Sequence, residues 1–294
     1  MGMRDARCGA KAVFDGFCEK PTETVVFRGM ICDRIGAVMK VVTFRLKYAC
    51  MALLLGALVL LGAFSAKASG AEEVYWGGTR SLPIYSVERE DQKIAISFDC
   101  AWGVEHTDAI LKNLKDAGVR ATFFTVQFWA EKYPEYLKKI DEAGHEVGTH
   151  SATHEYMSKL DETQIRSELK TSSEAISKVT GKEVSLFRAP FGDYDNLLID
   201  TASAMGFQTI QWDVDSLDWK DLSAADIANR IVSRAKSGSI ILCHNNGLHT
   251  AEALPIVFDT LKARGFEFVP IGELIYKENY TIDGAGRQFF HGAA

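Results

Sequence analysis

Acidic, basic and imidazole side chains recur in this 294-residue chain at the points where short apolar runs stop. The run IAISF ends in Asp99, and the later run EVGT is followed by His150 and His154. Two imidazoles four residues apart meet on one side if the segment turns helically, and they can then share a metal ion. Later runs are followed by three more polar clusters: Arg188, the stretch 213–218 and His244.

Each cluster taken alone has an ordinary explanation. A single His is more often structural than a ligand, an Arg beside a Pro is often part of a surface turn, and an Asp-rich loop usually caps a helix. Five clusters nevertheless fall at five predicted strand ends, and almost none falls at the opposite ends. That distribution favours one shared site over five unrelated surface features.

Apolar runs and amphipathic segments alternate along the chain, which predicts parallel βα units and a closed or nearly closed α/β barrel. In such barrels the chemistry lies at the carboxyl ends of the strands. The predicted strands are 93–98, 121–126, 146–149, 186–189, 209–211, 239–242 and 267–269. The predicted helices are 107–117, 136–143, 162–180, 195–204, 224–236 and 250–263.

The amino-terminal third of the chain lacks this alternation and carries a targeting pattern instead. Basic residues precede an apolar run at 49–64, and a small-x-small pattern follows it, as in a secretory signal. If it is not cleaved, residues 49–66 are barely long enough for a membrane anchor. The predicted organisation is an extension that is spurious or disordered (1–38), a signal peptide or anchor (39–68), a lead segment (69–92), the barrel domain (93–276) and a tail (277–294). A cleaved signal peptide and an uncleaved anchor would both place the domain outside the cytoplasm.

The net charge limits which partners the domain can bind, and the cysteine content limits the disulfides it can form. Positions 1–68 hold ten of the 33 basic and five of the 39 acidic residues, which leaves 23 basic against 34 acidic residues and a net charge of about −11. Such a domain should repel nucleic acid and favour a neutral or cationic partner. Only Cys100 and Cys243 lie beyond the signal, so no disulfide framework is implied.

The ordered motifs SFD, HSATH, RAPFG, DSLDW and LCH, between about Lys93 and Ile275, resemble those of the polysaccharide deacetylases of carbohydrate esterase family 4, the NodB-homology group. The details SFDCAWG and PIYSVE resemble the sporulation-associated branch of that family in Gram-positive bacteria. The resemblance implies a distorted (β/α)7 barrel, in agreement with the strand count.

By this resemblance, His150 and His154 bind a divalent metal, usually zinc, and Asp99 is the general base. Arg188 pairs with that base. His244 is the general acid, and Asp218 orients its ring. Three further residues contact the substrate: Phe191, Trp219 and Leu242.

One position departs from the family pattern. Most members have a second aspartate where this chain has Cys100, and that aspartate completes the metal site. Three readings follow: Cys100 is a thiolate ligand, the metal is held by the two histidines with water and Glu105, or the site is inactive. We favour the second, because adjacent residues of a strand point opposite ways and Asp99 takes the direction of the site.

The expected function is removal of N-acetyl groups from an N-acetylated cell-wall glycan such as peptidoglycan, in the spore or the vegetative envelope. One rival is a non-catalytic glycan-binding protein on the same scaffold, which has no need of a base, an acid and their partners together. The other rival is a peptidoglycan amidase, which would release peptide and not acetate.

Overall fold

The computed structural model describes residues 80–292. The strands of that part are β1 Ser86–Val87, β2 Lys93–Cys100, β3 Thr122–Thr125, β4 Glu146–Thr149, β5 Leu186–Phe187, β6 Gln208–Thr209, β7 Val214–Asp215, β8 Ile240–His244, β9 Glu267–Phe268, β10 Tyr280–Ile282 and β11 Arg287–Phe290. The α-helices are α1 Thr107–Ala117, α2 Gln127–Lys132, α3 Pro134–Glu142, α4 Glu162–Thr180, α5 Asn196–Ala204, α6 Ala224–Arg234, α7 Thr250–Ala263 and α8 Ile271–Leu274.

Seven of these strands form one parallel sheet in the order β6-β5-β4-β3-β2-β8-β7, and β9 pairs with β2 beside it. Helices follow most strands and cover the sheet with apolar side chains. Strand β2 is buried along nearly its whole length, as expected for a central parallel strand covered on both faces. The predicted distorted (β/α)7 barrel is therefore confirmed.

Local sequence signals fix several helix ends. The side chain of Asp161 accepts a hydrogen bond from the backbone of Gln164, whose side chain returns to the Asp161 N–H, so α4 begins with a full capping box. Asp195 and Ser223 cap α5 and α6 by accepting one backbone N–H each with their side chains. Gly181 ends α4 in the left-handed conformation that glycine adopts without steric cost.

The predicted lead and tail segments pair with each other. Strand β1 of the lead joins β11 and β10 of the tail in a three-stranded sheet, so part of residues 277–294 is regular structure. The lead also runs along the main sheet, where Ile84 bridges to Ile210 and Val87 N–H donates to the carbonyl of Gly238. A side chain at Gly238, which has φ +76°, would collide with that segment.

Two other differences concern the strands and the chain start. The short β7 lies in a stretch that the sequence predicted to be loop, because two residues give no detectable alternation. The predicted extension at 1–38 and the signal or anchor at 39–68 fall outside the described residues. Between residues 80 and 292, no helix has the length and apolar character needed to cross a bilayer.

Candidate active site

Strand register brings the predicted base and the predicted acid together. Asp99 lies opposite His244 where β2 and β8 pair, and opposite Phe124 where β2 and β3 pair. The strands are parallel, so their carboxyl ends share one edge of the sheet, and the polar residues that follow them converge there. Strand β4 delivers His150 and β5 delivers Arg188 to this same edge.

Asp99 is held by a fully buried arginine. Arg188 Nη1 donates to Asp99 Oδ1 at 2.8 Å, and its Nη2 donates to the carbonyl of Gln211 at 3.1 Å. The guanidinium also lies over the Phe124 ring, 4.2 Å from its centroid. Burial alone would raise the pKa of Asp99, but the charge of Arg188, with that of protonated His244, outweighs burial and lowers that pKa. Asp99 is therefore ionised at neutral pH.

His244 has the complementary arrangement. Its Nδ1–H donates to Asp218 Oδ1 at 2.7 Å, which leaves Nε2 as the ring nitrogen available to a substrate. The other oxygen of Asp218 accepts from the His244 backbone N–H at 2.8 Å and from the Thr250 hydroxyl at 2.6 Å. Burial lowers the pKa of His244, but the bond and charge of Asp218 outweigh burial and raise it.

His150 and His154 meet with their ring centroids 5.0 Å apart. His150 Nδ1–H donates to the Arg188 carbonyl at 2.8 Å, so its Nε2 faces the other carboxylate oxygen of Asp99, 3.5 Å away. Burial lowers the pKa of His150, and burial with the neighbouring His150 lowers that of His154 to about 4. Both rings are neutral near pH 7, the form that binds metal.

The two further metal-ligand candidates lie elsewhere. Cys100 is fully buried in the apolar core with Phe98 and Ile96, and its Sγ lies 3.8 Å from the Phe98 carbonyl oxygen. Burial raises the pKa of the Cys100 thiol well above its ordinary value, so the thiol is protonated. Glu105 is exposed, and its carboxylate accepts the backbone N–H of Val104 in its own loop. Neither side chain lines the cleft.

The donor set can be compared with what a divalent cation requires. Neutral imidazoles on His150 and His154 suit zinc, but a catalytic zinc site normally has three protein ligands. Within residues 80–292, no cluster of three or more His, Cys, Asp or Glu side chains is arranged to hold a metal. The residues therefore fit a cation held by two imidazoles, one ligand short of the usual set.

These groups lie in a cleft of about 530 Å³. The predicted residues Asp99, His150, His154, His244, Phe191, Trp219 and Leu242 line it. Arg188 and Asp218 are fully buried and support the lining residues. Five other residues also line the cleft: Ala101, Trp102, Trp212, Asp215 and Asn246. The sequence interpretation gave none of them a role, although Asp215 lies in the predicted polar stretch 213–218. Most of these lie within a few residues of a predicted strand end, and that position was the available signal.

Unusual backbone conformations concentrate at this edge. Ser151, His154, Phe191 and Leu217 all have φ between 53° and 70°, a left-handed region that costs a non-glycine residue roughly 1–2 kcal/mol. In Phe191 this turn accompanies an exposed ring in the cleft lining. Such strain accumulates where a site requires a fixed geometry, which agrees with a functional edge here.

Comparison with known proteins agrees with this geometry. The polysaccharide deacetylase family model matches residues 86–210. A peptidoglycan-N-acetylglucosamine deacetylase of Bacillus cereus is 32% identical over 65% of this chain and 92% of its own length. This chain belongs to the polysaccharide deacetylase family. A second such deacetylase of B. cereus is 33% identical over 61% of this chain, and the chain spans only 66% of that relative and less of several others.

One solved structure bears on whether members of this family are active. A carbohydrate esterase family 4 pseudoenzyme from Bacillus anthracis superposes with a TM-score of 0.64, at 30% identity, over 71% of this chain and 73% of its own. A mutant of that pseudoenzyme is described as having restored enzymatic activity. The family therefore includes a member similar to this chain that has lost activity and a variant that has regained it.

Proposed function

We propose that this family member is a polysaccharide N-deacetylase that removes acetyl groups from an N-acetylated cell-wall glycan, most simply peptidoglycan. The observation that carries the proposal is the pairing of two supported groups in one cleft, the base Asp99 with Arg188 and the acid His244 with Asp218. A binding site alone requires neither the buried arginine nor the buried aspartate, which are costly unless paired.

Asp99 acts as the general base. Arg188 occupies Oδ1, so Oδ2 is the oxygen that accepts a proton from the attacking water. As that proton leaves, the water oxygen bonds to the acetamide carbonyl carbon and the carbonyl oxygen gains negative charge. The lowered pKa of Asp99 keeps the carboxylate ionised and ready for this step.

His244 acts as the general acid. The C–N bond breaks as Nε2–H of His244 donates its proton to the departing sugar nitrogen, which leaves acetate and a free amine. Asp218 stabilises the imidazolium that must be present at the start of this step and holds the ring through Nδ1. A pKa raised by Asp218 keeps a protonated fraction available near neutrality.

The cation belongs to the same proposal. His150 and His154 would hold a divalent metal, zinc being among the cations that imidazole ligands suit, and the metal would supply Lewis-acid polarisation of the acetyl carbonyl. With two protein ligands the affinity is expected to be low. Phe191, Trp219 and Leu242 form the walls that bind the sugar. Cys100 and Glu105 stay outside the ligand set in this proposal, in keeping with their positions.

Location follows from the substrate. A cell-wall glycan lies outside the cytoplasmic membrane, which agrees with the proposal of a signal peptide at 39–68 or an anchor at 49–66. The sporulation-type motifs support a role in the spore or the vegetative envelope. Several relatives are named as peptidoglycan deacetylases, including PdaA of Bacillus subtilis, a peptidoglycan-N-acetylmuramic acid deacetylase. Those names support the substrate class.

The test is product analysis with the full chain on purified peptidoglycan and on chitooligosaccharides. We expect acetate without released peptide, with a rate that rises on addition of zinc. Peptide without acetate would identify an amidase. No product from either polymer, at saturating metal, would remove the deacetylase proposal.

A specific observation favours a second candidate, a glycan-binding protein without catalysis. The ligand set is one short, and a similar solved structure is a pseudoenzyme. Affinity for peptidoglycan without acetate release at any metal concentration would select this candidate.

A further inference from the structure

The guanidinium of Arg188, which pairs with the base, has two hydrogen-bond acceptors in the part of the chain that the structure describes. Its Nη1 donates to the carboxylate of Asp99, and its Nη2 donates to the main-chain carbonyl of Gln211 at 3.1 Å. The Nε–H of Arg188 has no acceptor among residues 80–292. The position of the Gln211 backbone therefore supplies half of the hydrogen bonding that orients this guanidinium.

The backbone of Gln211 is itself held by the lead segment. Its N–H donates to the carbonyl of Ile84 at 2.7 Å, and the Ile84 N–H donates to the carbonyl of Thr209 at 2.9 Å. Ile84 and Ile210 are the partners in this parallel bridge. A line of hydrogen bonds therefore runs from Ile84 through Gln211 and Arg188 to the base.

The side chain of Ile84 supports the same guanidinium through apolar packing. It is only 2% exposed, and it belongs to a buried cluster that also contains Ile210 and Phe124. The guanidinium of Arg188 lies over the Phe124 ring, 4.2 Å from its centroid. Ile84 thus contributes both to the placement of the second acceptor of Arg188 and to the cluster that holds the ring against which Arg188 packs.

Two glycines fix the lead segment directly after Ile84. The Tyr85 N–H donates to the carbonyl of Gly286 at 2.8 Å, and the Val87 N–H donates to the carbonyl of Gly238 at 2.9 Å. Both glycines have positive φ, 78° and 76°, and a Cβ atom at Gly286 would lie 2.2 Å from the Tyr85 ring. The close approach on both strands leaves the lead segment in one defined position.

We infer that Ile84 is a positioning residue for the reaction, because it holds the Gln211 backbone that orients Arg188, and Arg188 orients the base Asp99. Ile84 does not line the cleft, and it precedes the residues 86–210 that the family model matches. The inference deepens the proposed function and rests on it for the reaction. The hold on Arg188 can nevertheless be measured without turnover.

The experiment uses Ile84→Ala in the full chain, which deletes the packed side chain and leaves every group of the cleft in place. NMR of protein labelled with ¹⁵N-arginine measures hydrogen exchange at the Nη protons of Arg188, whose signals are assigned by their loss in Arg188→Lys. We expect these protons to exchange at least about tenfold faster than in the parent, since the surrounding structure opens more often. Acetate release at saturating metal should show kcat lowered roughly tenfold with KM unchanged, because small displacements of a reacting group are costly.

The matched control is Ile275→Ala. It makes the same change at a buried residue of the same cluster, but the Ile275 N–H donates to the carbonyl of Ile271 and not to the Gln211 backbone. We expect a comparable fall in melting temperature without faster exchange at Arg188 and without a lower kcat. Ile84→Val removes less of the side chain and should show a smaller increase in exchange of the same sign, which keeps the test valid if Ile84→Ala does not fold.

A double-mutant cycle separates positioning from general damage. Arg188→Lys has already lost the bond from Nη2 to the Gln211 carbonyl, so adding Ile84→Ala to it should lower kcat little further. A loss of kcat by the same factor in both backgrounds would overturn the inference.

Two other results would also contradict it. Equal exchange rates at Arg188 in Ile84→Ala and Ile275→Ala would show that Ile84 does not hold the guanidinium, and faster exchange with unchanged kcat would remove its part in the reaction. Failure of the proposed function looks different, because the parent chain would then release no acetate. The exchange measurement would still decide whether Ile84 positions Arg188.

Discussion

The two halves of the site differ in how completely their partners are supplied. On the acid–base side, Asp99 and His244 each have a buried charged partner, and Asp218 accepts three hydrogen bonds. On the metal side, His150 is oriented by a backbone carbonyl, but the third ligand position belongs to a thiol that is buried in the core. In the proposed mechanism the base and the acid thus both have their supporting partners, and metal affinity is the expected weak element.

The largest expected effect is on the acid–base side of the site. Asp99→Asn removes the base and His244→Ala removes the acid, and each should lower turnover by roughly two to four orders of magnitude. Acetate release at saturating metal is the measurement. Asp116→Asn, on the exposed surface of α1, and His249→Ala, at the half-buried residue just before α7, change the same residue types outside the cleft lining and should retain full activity. Near-normal turnover in both site variants would remove the catalytic assignment.

The next prediction concerns the metal side of the site, which is one protein ligand short. Cys100→Asp supplies a carboxylate at the family's usual ligand position and should tighten metal binding at least about tenfold, with higher activity at limiting metal. A carboxylate buried without a partner is costly, so the variant should melt at a lower temperature than the parent without metal and recover on metal addition. Metal titration followed by thermal melting measures both effects.

The matched control is Cys100→Ala. Because the thiol lies in the apolar core and is protonated, its removal should leave metal affinity almost unchanged. Loss of metal and activity together in this variant would show that the thiolate is a ligand. No gain in Cys100→Asp would show that the backbone of β2 directs this side chain away from the cation whatever its chemistry.

The sequence predicted most of the barrel and the residues of its carboxyl edge, because parallel strands place chemistry in one recognisable position. Strand alternation also predicted that Cys100 would point away from Asp99, and the structure places it in the core. The pairing of β1 with β11 could not be read from local pattern, since the partners are about 200 residues apart. Thr250 was missed for a similar reason: it reaches Asp218 from a different helix.

A smaller effect concerns pH. His244 must be protonated to act as the acid, so activity falls as the pH rises through its pKa, which Asp218 holds above the ordinary value. Asp218→Asn removes that charge and lowers the pKa of His244, so the alkaline fall should move down by roughly one pH unit. The acidic limb should stay in place, because Arg188 still lowers the pKa of Asp99. An unchanged alkaline limb would assign that titration to another group.

The smallest expected effect comes from removing a hydrogen bond that holds the carboxylate of Asp218. Thr250→Val keeps the shape of the buried side chain but deletes the 2.6 Å hydrogen bond to Asp218 Oδ2, a bond to a charged acceptor that contributes roughly 1.5–3 kcal/mol. We expect a lower melting temperature and a decrease in kcat of a few fold, with KM unchanged, since Asp218 retains its bonds to the ring and backbone of His244. Thr250→Ser retains the hydroxyl and should behave like the parent. A fall in kcat of several orders of magnitude in Thr250→Val would mean that this hydroxyl takes part in the proton transfer. The acid would then be the hydrogen-bonded chain His244–Asp218–Thr250, and not His244 with Asp218 alone.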